Sequence, residues 1–209
     1  MKTETTKITN EDRALCQIIT PTARLSYPNL FVAKAAQGAT EKNFSATFLF
    51  PKDQEIAGFA KDGSPRTLKS VLHRAKLQKF GPKEKWPAGL RLPISDGDDP
   101  KYKDKEGYAG HWVVRATAKA DRKPTVLDRD GNIVTEANDV YPGCYVRAAL
   151  LAYGWANNFG NGISFSLDHV QKIRDGKSFA GKASAQETFA NVPLDIDTTT
   201  EEEDEQEDF

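Results

Sequence analysis

Four stretches of this chain alternate apolar and polar side chains with the period of a β-strand. Phe44 to Phe50 sets Phe44, Ala46, Phe48 and Phe50 on one face before Pro51 stops it. His111 to Ala118 sets Trp112, Val114, Ala116 and Ala118 on one side, with His111 and Arg115 on the other. Around Tyr145 to Tyr153 the inward register falls on Cys144, Val146, Ala148 and Leu150, so Tyr145 and Arg147 share the outward face. Ile163, Phe165 and Leu167 face inward on the next stretch, and Ser164 and Ser166 outward. The link Asn157–Gly162 is rich in Gly and Asn, which joins the last two stretches as a predicted hairpin. Ala14 to Phe31 is less regular but rich in Leu, Ile, Tyr and Phe, which predicts a strand bulged or bent near Tyr27–Pro28. Lys123 to Leu127 predicts one more short strand, ahead of a turn at Asp128–Asn132.

Only one stretch has the helical period. Ser64 is placed to cap, Pro65 suits the first helical position, and the segment runs to Phe80 before Gly81-Pro82 ends it. Leu68, Val71, Leu72 and Ala75 form its apolar stripe, while Arg66, Lys69, Arg74, Lys76 and Lys79 make the remaining surface basic. Residues 81–110 are rich in Pro, Gly and charge and read as a long excursion outside the core. Short strands, one helix between early and late strands, and long loops describe a mainly β small barrel with one amphipathic helix and long loop insertions. The expected organisation is a flexible leader over 1–13, one domain over 14–194 and a disordered acidic tail over 195–209.

Charge changes this picture. The formal net charge is -1, from 29 Lys and Arg against 30 Asp and Glu. Nine of those carboxylates lie within residues 195–209, which hold no Lys or Arg and end on Phe209. The body therefore carries about +8, tethered to a peptide of about -9. A basic domain with its own acidic peptide suits a protein that binds a polyanion and regulates access to it. The plainer alternative is a tail that only adds solubility.

Several function classes lose support. No Walker loop, no GxGxxG after a strand, no HExxH and no GxSxG occurs. Cys16, Cys144 and three scattered His have no zinc-ligand spacing, and the cysteines are expected as buried free thiols. Asp96, Asp98 and Asp99 lie in a Gly- and Pro-rich loop and read as a solvated turn rather than a metal site. The chain shows no signal peptide and no apolar stretch of membrane-span length, so a cytosol-like compartment and no membrane partner are expected. No cofactor is implied.

The informative signal is cationic and aromatic side chains mixed along the predicted barrel. Holding single strands without reading sequence takes Lys or Arg for phosphates and exposed rings for bases. The candidate contacts are Arg24 and Tyr27 before the first bend, Arg115 on the central strand, and Tyr145, Arg147, Tyr153 and Trp155 along the hairpin. Lys172 and Arg174 after it, and Lys69 and Arg74 on the helix, add candidate phosphate contacts. Arg24 and Tyr27 lie on opposite faces of a regular strand, and a bend before Pro28 brings both to one edge. Tyr27 either stacks a base or plugs the barrel; the helix cations either meet phosphate or are simply solvated.

RLSYPNLF (24–31), KNFSATFLFPK (42–52), YPGCYVRAAL (141–150) and GISFSLDHVQKIRDG (162–176), in that order, resemble a phage single-stranded DNA-binding protein family once catalogued only as a domain of unknown function. The resemblance spans about residues 14–180 and is most specific in the last motif. It implies an oligonucleotide/oligosaccharide-binding (OB) barrel. The acidic stretch ending at Phe209 is similar to the tails of phage replication single-strand binders, including T7-like ones, and of their bacterial counterparts. In those proteins the tail recruits replication enzymes and competes with DNA for the basic cleft. Asp208-Phe209 stands where the bacterial tails end in Pro-Phe, and these two residues are the candidate partner contacts.

The function expected is therefore a non-catalytic single-stranded DNA-binding protein in the cytoplasm of an infected bacterial host. It would protect strands exposed in replication or recombination, with a DNA polymerase, helicase or recombinase of phage or host as partner through the tail. A metal-dependent nuclease and a non-DNA-binding adaptor are the alternatives.

Overall fold

The computed structural model describes residues 9–35 and 38–179. Its elements are, in order, α1 (Asn10–Ala14), β1 (Gln17–Ile19), β2 (Ala23–Ala35), β3 (Lys42–Pro51), β4 (Ala57–Phe59), β5 (Pro65–Thr67), α2 (Leu68–Phe80), β6 (Ile94–Asp96), β7 (His111–Lys119), β8 (Thr125–Leu127), β9 (Tyr145–Asn157) and β10 (Gly160–Arg174). β2, β3, β7, β10 and β9 pair in that order, and β9 returns to β2 through Ala23↔Val146 and Arg24↔Tyr145, which closes a five-stranded ring. The β7–β10 pair is parallel and short, meeting only at Phe165↔Ala116 and Ser166↔Thr117. β6 pairs with β7 just beyond it, at Ile94↔Val114 to Asp96↔Trp112. β1, β4 and β5 extend the sheet beside β9, and β8 lies beside β10.

The predicted inward registers all hold. Phe44, Ala46, Phe48, Phe50, Val114, Ala116, Val146, Ala148, Leu150, Ile163, Phe165 and Leu167 are buried in one core. Burying this many apolar side chains on one side of a closed sheet is the main force holding the barrel. The hairpin is longer than predicted: its strands run on to Asn157 and from Gly160, which shortens the link to a tight turn.

Helix α2 closes one end of this core with Leu68, Val71, Leu72 and Ala75. Its cap is Thr67, not Ser64. Residues 65–67 are extended because they pair with β4 (Ala57↔Thr67 to Phe59↔Pro65), so the helix begins only where that pairing ends. Thr67 accepts from the Ser70 backbone N–H at 3.2 Å, and Ser70 Oγ accepts from the Thr67 N–H at 3.2 Å. Gly154 of β9 lets the helix approach this closely: a Cβ there would lie 2.3 Å from Lys79 Cβ.

Two expectations change. Residues 10–14 form a helical turn with a Thr9–Asp12 capping box, not part of a flexible leader. Arg66 donates to the carbonyls of Ala14 (3.3 Å) and Leu15 (2.7 Å), which binds that turn to the barrel. The excursion 81–110 is not wholly outside the core. Tyr108 is 3% exposed, packs on Leu49 and Val113, and shares a 3.1 Å hydrogen bond with Ser26 Oγ. Lys52 pairs with Asp96, and with Asp98 at 2.6 Å, holding the loop against the end of β3. Cys16 and Cys144 are buried free thiols, as expected, and burial pushes both up to about 11. No helix among the described residues is long and apolar enough to cross a membrane.

Candidate nucleic-acid interface

The outward registers of β3 and β7 make the candidate site. Asn43↔Lys119, Ser45↔Thr117, Thr47↔Arg115 and Leu49↔Val113 are directly opposed pairs on the face turned away from the core. From Val113 to Lys119 this face runs about 20 Å at the usual rise of a strand. Two clefts lie along it. One of about 500 Å³ is bounded by Tyr27, Thr47, Leu92, Tyr102, Lys105 and Arg115. The other, of about 640 Å³, is bounded by Arg13, Asn43, Lys119, Arg122, Tyr153 and Ser166. Ser45 lines the first and its paired neighbour Thr117 the second, so the clefts are consecutive parts of one trough.

At the first end the chain is bent as the sequence predicts. The β2–β3 register shifts between Ser26 and Asn29, and Tyr27 adopts a positive φ of 45°. This left-handed backbone is uncommon for a large side chain and is held here by the paired strands on either side. It turns the Tyr27 ring outward, 59% exposed. Lys105 reaches across from the excursion, with its Nζ 4.7 Å from the centre of that ring.

At the second end Lys119 and Arg122 continue the basic side of β7, and Arg13 projects from α1. Glu41 and Asp121 are the carboxylates on this lining. Among the described residues, Arg13, Arg115, Lys119 and Arg122 form no ion pair, unlike Lys52 and Lys172. Tyr153 is exposed at the trough wall. Trp155 lies across Gly162, where a Cβ would meet the indole at 2.5 Å, and its Nε1 donates to Ser164 Oγ at 3.0 Å. The absence of a side chain at position 162 thus lets the indole lie flat along the hairpin. Phe159, at the hairpin turn, is 82% exposed.

Of the predicted contacts, Tyr27, Arg115 and Tyr153 line the trough, and Trp155 stands two residues along β9 from Tyr153. The others are elsewhere. The bend does not unite Arg24 with Tyr27. Arg24 donates to the carbonyls of Gly143 (3.3 Å) and Lys177 (2.7 Å) and lies over the rings of Tyr145 and Phe179. Arg174 stacks on the other predicted ring there, Tyr145. Arg24, Tyr145 and Arg174 border a separate cleft of about 250 Å³ with Leu49 and His111, and none of the three lines either cleft of the trough. Lys172 pairs with Asp175 at 2.7 Å and lies over Tyr141, and that pairing holds the Asp175 carboxyl below its ordinary value. Arg147 Nε donates to Gln171 Oε1 at 2.7 Å. Lys69 and Arg74 are exposed on α2 and border neither cleft. Asp208 and Phe209 lie outside the described residues, as does the predicted disordered tail.

Sequence reasoning passed over Tyr102, Lys105, Lys119 and Arg122. The last two had a signal, since extending the outward register of Arg115 by two residues at a time reaches Thr117 and Lys119. Tyr102 and Lys105 had only their spacing in a basic loop, and nothing local says that the loop folds back over β3 and β7.

A ring of five strands in the order first, second, third, fifth, fourth, with an open cation-lined trough over the second and third, defines an OB barrel. The chain belongs to the single-stranded DNA-binding protein family of Enterobacter phage Enc34, whose family model matches residues 16–208. The structure is similar to that of the single-stranded DNA-binding protein from bacteriophage Enc34 in complex with ssDNA. The TM-score is 0.61 at 26% identity, covering 78% of this chain and 89% of that one. Putative protein p50 of Acyrthosiphon pisum secondary endosymbiont phage 1 is 33% identical over 166 residues, 76% of this chain and 83% of its own length. The fold is also similar to gp2.5, a single-stranded DNA-binding protein encoded by bacteriophage T7, with a TM-score of 0.50 at 10% identity over 86% of this chain and 96% of that one.

Proposed function

We propose that this protein binds single-stranded DNA with little sequence preference in the β3/β7 trough, covering strands exposed in phage DNA replication or recombination in the host cytoplasm. One observation carries the reading: cations without carboxylate partners among the described residues (Arg115, Lys119, Arg122) share one open barrel face with the exposed rings of Tyr27 and Tyr153. Cations at intervals suit successive phosphates, and ring faces suit unstacked bases of any identity. The excursion borders the first end of the trough and α1 the second, and rings exposed along it favour the unstacked bases of a single strand over the stacked bases of a duplex. The role is that of a binder, without chemistry on the strand.

The acidic stretch 195–209 is proposed to regulate this site. Phe179 is seated against Gly107, and Lys177 pairs with Glu106 at 3.6 Å, so the last described residue lies beside the loop that carries Lys105. A peptide tethered there competes with DNA at an effective concentration on the order of millimolar. Asp208 and Phe209 are the proposed contacts to a DNA polymerase, helicase or recombinase.

Titration with oligo-dT and with duplex of equal length, at two salt concentrations, tests the function. The expected result is tighter binding to the single strand that weakens steeply with salt. Tyr153→Ala and Trp155→Ala should each weaken it by roughly five- to a hundredfold, the range of one lost stacking contact. Equal affinity for duplex and single strand would overturn the reading.

A further inference from the structure

The first end of the trough contains an arrangement that phosphate binding alone does not explain. Lys105 is only half-exposed and, among the described residues, pairs with no carboxylate. Its ammonium instead faces three tyrosine rings, with centroids 4.7 Å (Tyr27), 5.5 Å (Tyr102) and 5.5 Å (Tyr108) away. The rings are not equivalent. Tyr108 is buried and anchored through its hydroxyl to Ser26, and Tyr102 rests on it at 5.0 Å with a tilt of 38°. Tyr27 stands opposite on the bulge of β2. Two accessible rings, one backed by a buried ring and the other carried on the bulge, therefore flank one charged side chain.

We propose that Tyr27 and Tyr102 form a base slot which Lys105 fills in the free protein, and that an entering nucleobase displaces the ammonium onto the phosphate of the same strand. This rests on the nucleic-acid reading of the trough. Both halves of the exchange are favourable. An ammonium over an exposed ring is weakly held, whereas a phosphate offers it a charge-assisted hydrogen bond. A ring freed of the ammonium offers a base a full stacking surface. In the absence of DNA the lysine covers two tyrosine faces that would otherwise be exposed together. The slot accepts any base, because every base has a π face, and it sets the strand's register so that the following phosphates meet Arg115 and Lys119. Tyr102 and Lys105 are thus positioning residues for the strand, supplied by the excursion and not by the barrel.

The test uses the full-length protein, fluorescein-labelled oligo-dT, and an oligomer of equal length built of abasic sugar-phosphate units. Tyr27→Asn removes the ring while keeping a residue that tolerates the left-handed backbone; Tyr102→Leu and Lys105→Met complete the set. Tyr27→Asn and Tyr102→Leu should each lose roughly five- to a hundredfold on oligo-dT and less than about twofold on the abasic oligomer. Tyr27→Trp should restore oligo-dT binding. Lys105→Met should lower the slope of log K against log salt by about 0.7, one phosphate's share on a single strand. Equal losses on both oligomers, or no loss on oligo-dT for a Tyr27→Asn variant whose circular dichroism matches that of the unmodified protein, overturn the slot while leaving the trough reading intact. Failure of the unmodified protein to bind either oligomer overturns both.

Discussion

The Arg174 guanidinium stacks 3.3 Å from the centre of the Tyr145 ring. Arg24 approaches the same ring at 5.4 Å while it binds the carbonyls of Gly143 and Lys177. Three residues that look like nucleic-acid contacts in the sequence thus satisfy one another. Together they join the start of β9, the end of β10 and the segment leading to Phe179.

Tyr145→Ala is accordingly a stability variant. Two cation–π contacts of about 0.5–1 kcal/mol each are lost, together with packing of the half-buried ring. For a domain of this size a loss of about 1–2 kcal/mol lowers the melting temperature by roughly 2–8 °C. Thermal unfolding followed by circular dichroism should show that drop, while oligo-dT affinity changes by less than about twofold. An unchanged melting temperature with a large loss of affinity would return Tyr145 to the binding site.

Arg115 and Arg147 make a matched comparison, since both are exposed and both point outward from barrel strands. Arg115 lines the trough, and Arg147 is hydrogen-bonded to Gln171 outside it. Arg115→Ala should reduce the salt slope of oligo-dT binding by about 0.7 and weaken binding several-fold at low salt. Arg147→Ala should leave both unchanged. Fluorescence titration across a salt series distinguishes them, and identical behaviour of the two variants would mean that the strand does not follow β7.

Removal of residues 195–209 takes away nine carboxylates and leaves a body near +8. If that peptide competes for the trough, the truncated protein binds oligo-dT more tightly than the intact one, because free DNA no longer has to displace it. The gain should be largest at low salt and shrink as ions screen the attraction. Equal dissociation constants at low and moderate salt would leave the acidic stretch no part in regulating binding.

The barrel was legible because its evidence is local. Strand alternation in Phe44–Phe50, His111–Ala118 and Ile163–Leu167 depends only on which side chains must leave water, and each inward register is the one buried in the fold. The bulge at Tyr27–Pro28 was legible for the same reason, since Pro28 cannot continue the ladder and the chain must bend there. The cap of α2 was not, because Ser64 and Pro65 form a good local start that pairing with β4 overrides.

The sequence by itself determined the mainly β class, the amphipathic helix α2, the inward faces of β3, β7, β9 and β10, and the division into a basic body and an acidic stretch. All of these follow from period and charge along the chain. Only the tertiary structure decided which outward cations and rings share a surface. Tyr145 and Arg147 face outward as read, yet closure of β9 onto β2 and β10 gives Tyr145 the guanidiniums of Arg24 and Arg174, Arg147 the amide of Gln171, and Lys172 the carboxylate of Asp175 as partners. Lys105 and Tyr102, from a loop that reads as solvent-exposed, reach the binding face because Tyr108 buries itself on Leu49 and Val113 and draws the excursion over β3 and β7. Outwardness is set by the two-residue period of a strand; neighbourhood on a closed barrel is set by contacts such as Ser26–Tyr108 and Arg24–Lys177, 82 and 153 positions apart, which no local pattern records.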